Sequence, residues 1–355
     1  MQPKGVIFET RTGSRELELP LEAGSWQSRL GAGNGSGNHT VPLYGAGIPQ
    51  SLIDELSTGN KYTFAHMWGD HVSFAGVIQD RDYTLDDNRL VIQSLELRSA
   101  YMDSRMLFGV GADTSADGGV VLAVSSKSHS GAARAVIEKA LPDFDWELPI
   151  DLPADGSGSF SASWEFMERL NWEDHLKQIE ADGCEIDFRP YVDGSGYLRW
   201  ETRVDTKVTT GTVTELAAKA PGSRVAGLRV RDNYSRQVTG VLGFGKTGQP
   251  AGHGYPGGGT PISVRDVWVD YGDIDSARTQ GAVDTEFDQR VSATRQWSFG
   301  LNTFPDGPEV AAPGRLMNLW VYGDPFIADG KHAVRVISVR GDTSFNVRVE
   351  AQSAA

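Results

Sequence analysis

A single cysteine, Cys184, stands in 355 residues, so no internal disulfide can form, and the expected place of synthesis is a reducing cytoplasm. Cys184 follows Gly183 at the start of an apparent strand and reads as a small buried residue. Long apolar runs are missing too. The opening MQPKGVIFETRTGS has no continuous apolar segment, and no later run approaches membrane-spanning length. The expectation is a soluble protein without a membrane segment, released by a route such as cell lysis. Positive charge is scarce, with 33 basic against 47 acidic residues and a formal charge of −14. That balance argues against a protein that coats nucleic acid or anionic membranes.

Catalytic signatures are equally thin. There is no G-x-S-x-G elbow, and Cys184 has no protease signature around it. His66 and His71 flank Asp70 on apparent strand, but opposite pleat parity sends their rings to different faces. His39, His129, His175, His253 and His332 are scattered, so no metal site and no cofactor site is expected. Carboxylates such as Asp80, Asp82, Asp86, Asp87, Glu165 and Glu168 are plentiful. Most of them sit in turns or on an exposed helix face, and no pair is set up for hydrolysis. The expectation is a protein that is not an enzyme, with no catalytic residues.

Glycine, by contrast, is abundant: 42 residues, about 12% against a usual ~7%. One product is GVLGFGKT, Gly240 to Thr247, which has the spacing of a nucleotide-binding loop. Such a loop needs a buried strand before it and a helix after it. Here RQVT leads in, too polar for a central parallel strand. GQPAGHGYPGGGTP leads out, too rich in Gly and Pro to open a helix. The match is coincidental.

The first hundred residues read as β structure. In RELELPLE, Leu17, Leu19 and Leu21 alternate with polar residues. GAGNGSGN, Gly31 to Asn38, reads as a flexible loop. SLIDELSTGN reads as a helix capped by Ser51 with Asp54 and stopped at Gly59-Asn60. YTFAHMW, HVSFAGVIQD and NRLVIQSLEL read as strands. The middle of the chain changes character. GAARAVIEKALP presents Ala133, Val136, Ile137, Ala140 and Leu141 on one helical face. Ser163 and Asn171 are placed to cap two further helices, the second lined by Trp172, Leu176 and Ile179. A hairpin, CEIDFRPYVDGSGYLRWETR, follows, with Phe188 and Trp200 in the core. From about Val225, short strands resume, interrupted by a helix at about 275–291.

The chain therefore divides into a β region at 1–106, an α+β insert at 107–222 and a second β region at 223–355. Short strands at this spacing suggest barrels. FAGVIQDRDYTLDDNRLVIQSLEL and LWVYGDPFIADGKHAVRVISV share a plan of strand, Asp-rich turn and strand. Of nine tryptophans, Trp164, Trp172, Trp200, Trp268, Trp297 and Trp320 lie in periodic segments and are expected in the core. Trp26 and Trp68 lie near loops. Partial burial is favoured for them over sugar stacking or a protein interface.

This layout resembles the tail hub or minor tail proteins of tailed bacteriophages, particularly those of siphoviruses of actinobacteria. These are similar in fold to baseplate hubs and secretion-spike proteins. The resemblance rests on the first module ending in FAGVIQDRDYTLDDNRLVIQSLEL, on the insert, and on the closing GRLMNLWVYGDPFIADGKHAVRVISVRGDTSFNVRVEA. Gly248 to Pro261 departs from it as a loop of this chain's own. The resemblance implies a virion structural protein at the tail tip: a homotrimeric ring with two small β-barrels per copy. Six near-equivalent barrels would meet a sixfold tail tube or distal tail protein on one side. Threefold fibres, spikes or central tip proteins would dock on the other. DNA would exit through the ring without specific binding, and an acid-lined bore would keep it from sticking. A carbohydrate-binding or cell-wall-degrading tail-tip protein is the alternative.

Overall fold

A computed structural model describes residues 2–31, 35–43, 47–107, 119–141, 148–245, 249–255, 262–271, 276–292 and 294–354. The expectations for 32–34, for Pro142 and for most of the 109–119 linker fall outside them.

The first lobe contains β1 (Pro3–Glu9), β2 (Arg15–Pro20), β3 (Ala23–Arg29), β4 (Ser36–Pro42), α1 (Gln50–Leu56), β5 (Tyr62–Trp68), β6 (His71–Thr84) and β7 (Arg89–Leu95). The strands pair in the order β3-β4-β7-β6-β5-β1-β2, and the sheet curls until β2 lies beside β4. Its interior is filled by residues such as Ile7, Leu19, Val41, Phe64, Ile78 and Ile92. Strands β1, β5 and β6 are also covered on their outer face, where Val6, Phe8, Ala65, Met67, Ala75 and Val77 join a second core. Burial on both sides is why YTFAHMW reads as a nearly unbroken apolar run. Each large side chain so enclosed contributes about 1.5–3 kcal/mol.

What covers those strands is the insert. After α2 (Leu97–Ala100) come β8 (Val120–Lys127), α3 (His129–Ala140), β9 (Ile150–Asp151), β10 (Phe160–Glu165), α4 (Trp172–Glu180), β11 (Glu185–Val192) and β12 (Leu198–Asp205). Helix α3 buries Ala133, Val136, Ile137 and Ala140, the face expected from sequence. Helix α4 starts at the expected cap: Asn171 Oδ1 accepts from Asp174 N at 2.7 Å, and Asp174 accepts from Asn171 N. The hairpin β11–β12 carries Trp200 into the core and Phe188 against it.

The second lobe holds β13 (Thr210–Ala217), β14 (Val225–Asn233), β18 (Thr294–Asn302), β19 (Arg315–Val321), β20 (Gly330–Asp342) and β21 (Asn346–Ser353), with β15 (Gly240–Phe244), β16 (Pro250–Gly254), β17 (Asp266–Asp270) and α5 (Ser276–Arg290) set between β14 and β18. The main strands run β14-β18-β21-β20, with β19 on β20 and β13 on β19. Strand β20 uses one edge twice. Residues Gly330–Arg335 pair with β19, and after a bulge at Val336/Ser338, Ser338–Asp342 pair with β3 of the first lobe. The two lobes therefore share one 13-stranded sheet. The register Gly341↔Trp26 lies in that seam, and a Cβ on Gly341 would sit 2.4 Å from the Trp26 ring. Only glycine lets the indole cross the junction. The fold is mainly β with an α+β insert, as the sequence indicates.

Several local expectations are corrected. Helix α1 begins after Pro49 with no side-chain cap, so Ser51 and Asp54 make no capping box, and it ends at Leu56 rather than Gly59. Proline's fixed φ sets the entry and needs no N–H. Ser163 caps nothing, because it lies inside β10, paired with Ala123 of β8. Ser36–Asn38, expected in a loop, belong to β4. There Gly37 is needed because a Cβ would meet the Phe74 ring at 2.5 Å.

Candidate assembly surfaces

Arg98, on α2, joins the first lobe to the insert. Its guanidinium is 5% exposed and spends all its donors. Nε and Nη2 donate to Glu173 at 2.8 Å each, and Nη1 and Nη2 donate to Glu180 at 2.9 Å each. Nη1 also donates to the Ile186 carbonyl at 2.7 Å. Burial opposes the charge, but Glu180 and Glu173 hold Arg98 protonated above its ordinary value. A fork of this kind fixes orientation as well as contact, so the first lobe is clamped to α4 and β11. A second clamp joins insert to second lobe: Arg335 of β20 donates to Glu185 of β11 at 2.6 Å and to the Val208 carbonyl. A third is shared, since Glu309 takes His71 at 2.8 Å and Arg189 at 2.9 Å.

A cavity of about 50 Å³ lies at this meeting point, with Glu96, Asp187, Glu309, Arg29 and Arg203 among its lining residues. Ser28 Oγ donates to Glu96 at 2.7 Å. Burial nevertheless pushes the Glu96 pKa up to about 8, aided by Asp187. Asp187 is itself paired with Arg203. Of the lining charges, Glu309 ties the three modules together.

His39 of β4 and His66 of β5, which the sequence reading did not connect, are brought together by the fold. They face each other inside the first lobe, Nε2 to Nδ1 at 3.2 Å, both fully buried. Their strands are not neighbours in the sheet but oppose each other across the curl. Burial lowers His39 to about 3, helped by His66, and lowers His66 to about 4. His71 is exposed on β6 with Glu309, so it and His66 stay apart. Among the described residues no group of His, Cys, Asp and Glu is placed to hold a metal ion. Cys184 is buried as expected, its thiol pushed up to about 12 by burial. Of the six candidate carboxylates, Asp80, Asp82, Asp86 and Asp87 line the exposed β6–β7 hairpin, while Glu165 ends β10 and Glu168 lies in the turn after it.

The nucleotide-loop spacing is resolved by β15. Gly240–Phe244 form the central strand of a three-stranded sheet, β16-β15-β17, with its amides committed to neighbours rather than to a phosphate. Lys246 and Thr247 lie outside the described residues. The lead-out is the strand Pro250–Gly254, so part of the expected loop at Gly248 to Pro261 is β structure, with 248 and 256–261 outside the described residues. Helix α5 packs on this small sheet, burying Val241, Val283 and Phe287.

The tryptophans sort differently from expectation at four positions. Trp164, Trp172, Trp200 and Trp297 are buried, as expected. Trp26 and Trp68 are also fully enclosed, at the seam between lobes. Trp268 is 73% exposed and Trp320 is 37% exposed, so neither belongs to the core. Alternation in β17 puts Trp268 on the side away from α5, parallel to Phe244 at 5.4 Å. Trp320 alternates out of β19 and donates to Glu215 at 2.6 Å.

No family model and no curated protein matches the chain. Solved structures do. A tail protein from Neisseria meningitidis superposes with a TM-score of 0.62 at 11% identity, covering 100% of this chain and 97% of that one. A 43 kDa prophage tail protein from Shewanella oneidensis gives 0.62 and 11%, over 98% of each chain. An E. coli type VI secretion component, described as similar to the T4 tail proteins gp27 and gp5, gives 0.53 and 10% over 96% of this chain and 75% of that one. The chain thus has the fold of phage tail and baseplate proteins along its whole length.

Proposed function

We propose that this chain is a structural tail protein of a bacteriophage, the hub at the distal end of the tail, and that it is not an enzyme. The observation that carries the reading is the shared sheet. One chain holds two β lobes joined edge to edge, over the full length of a tail-protein fold. In this reading each lobe, at 1–106 and at 223–355 extended by β13, occupies one of six similar positions in a ring of three copies, with the rest of the 107–222 segment outside; β13 pairs with β19. The ring meets a sixfold tail tube or distal tail protein on one face and threefold fibres, spikes or tip proteins on the other, and DNA leaves through it. Its place is the virion, and the actinobacterial host rests on the sequence resemblance alone. Closed rings satisfy exposed strand edges, and β14 and β2 are such edges here. Mass photometry of the purified chain is expected to show a species at three times 38.4 kDa; a monomer at every concentration would refute the hub.

The glycan-binding alternative draws on one feature, the exposed Trp268–Phe244 pair beside Asp266 and Asp270. A monomer retained on cell-wall glycan, with retention abolished by Trp268→Ala, would replace the hub reading.

A further inference from the structure

Some arginines with exposed heads are paired, as Arg89 is with Glu22, Arg199 with Asp151 and Arg295 with Asp232. Others are not, and five of those share one sheet. Arg29, Arg229, Arg231, Arg340 and Arg348 are all exposed, and among the described residues none has an ion-pair partner. The registers Arg229↔Ser298, Ser298↔Glu350, Glu350↔Ser338 and Ser338↔Arg29 run across β14, β18, β21, β20 and β3. Pleat parity therefore places all five on one face of the shared sheet, opposite the core. Arg29, Arg229, Arg231 and Arg348 line one shallow depression.

Arg340 and Arg348 are direct cross-strand partners. Like charges so placed destabilise a sheet, and the free chain does not relieve them. The acids at outward positions of these strands are Glu350 and Asp342. Other outward residues include Gln27, Gln296, Gln352, Ser25, Ser298 and the buried Ser338, polar groups with no aromatic ring among them. Arginine with Gln and Ser is the set that contacts phosphate and sugar, while the lack of rings removes base stacking. A chain of charge −14 thus sets five unpaired arginines on one surface.

We propose that this face contacts the backbone of double-stranded DNA, without reading sequence. The proposal deepens the hub reading and reverses one of its expectations: the surface that DNA meets is basic, not acid-lined. Contact of this kind is weak and governed by salt.

The test is anisotropy titration of the full chain against a labelled duplex of about 20 base pairs at 50 to 200 mM salt. With about four or five phosphates engaged, affinity should fall on the order of a hundredfold or more across that range. In the triple variant Arg229→Gln, Arg231→Gln, Arg348→Gln the slope of log K against log salt should shrink by about 0.9 per arginine removed. Arg11→Gln, exposed and off this face, should leave it unchanged. No binding at about 50 mM salt, or an unaltered slope in the triple variant, would overturn the proposal. So would wild-type rings that ignore DNA and dissociate in the triple variant, which would make this face a subunit contact. Mass photometry on the same samples separates the two claims: a DNA-binding monomer refutes the hub alone, and an intact ring blind to DNA refutes this inference alone.

Discussion

In the first lobe the sheet closes over Ile7, Phe64 and Ile92 together with two facing imidazoles, and two of its faces are buried. In the second it packs on Leu319, Val336, Val349 and Trp297, and among the described residues no buried imidazole joins them. The lobes share a hairpin plan, β6–β7 and β19–β20, each antiparallel. They differ in how they are secured. The first leans on the insert through an apolar layer and the Arg98 clamp, and the second is tied to it through Arg335 and Glu185. In the proposed ring, equivalent positions would constrain outer shape and sheet path and leave the interior free to diverge; here one interior holds two buried imidazoles and the other, among the described residues, none.

The largest effect is expected at Arg98. Arg98→Ala strands Glu173 and Glu180 without their cation. It should cost about 3–5 kcal/mol of unfolding free energy in urea, with hydrogen exchange accelerating in β1, β5 and β6 but not in β18 and β21. Acid should separate the lobes next. The folded pKa values of His39 and His66, about 3 and 4, lie below the usual 6.5. The unfolded chain therefore takes up protons first, and stability is lost as pH falls from about 6.5 toward 4, by on the order of a few kcal/mol. Exchange at pH 4.5 should open the first lobe before the second; simultaneous opening would show that the pair does not matter.

The seam itself is tested by Gly341→Val, which forces a side chain into the Trp26 ring and should cost about 1–3 kcal/mol. Smallest is Glu96→Gln. The raised pKa of Glu96, about 8, means the unfolded chain loses its proton first, so stability falls as pH rises from about 4.5 to 8. The amide should recover up to about 1 kcal/mol at pH 8 and little at pH 4, read as a melting shift that grows with pH.

Much of the fold was legible because it is written locally. Alternation marks Val347 and Val349, the Asn171–Asp174 cap marks α4, and the apolar face of α3 is continuous. What escaped depends on contacts far apart in sequence. His39 and His66 are 27 positions apart on strands that meet only across the curl. Trp26 is buried because β3 pairs with Ser338–Asp342, more than three hundred residues later. Trp268 looked like core because β17 alternates as a core strand does, but α5 covers only the other side. The free arginines were invisible for the same reason: net charge averages over faces, and only the sheet register gathers these five together.

The most direct test of two lobes standing in for two positions of a sixfold ring is a top-view average of the purified assembly by electron microscopy. The account predicts a closed ring with a central hole, threefold by symmetry, carrying six similar densities around the bore. A ring with three densities, or particles with no hole, would contradict it.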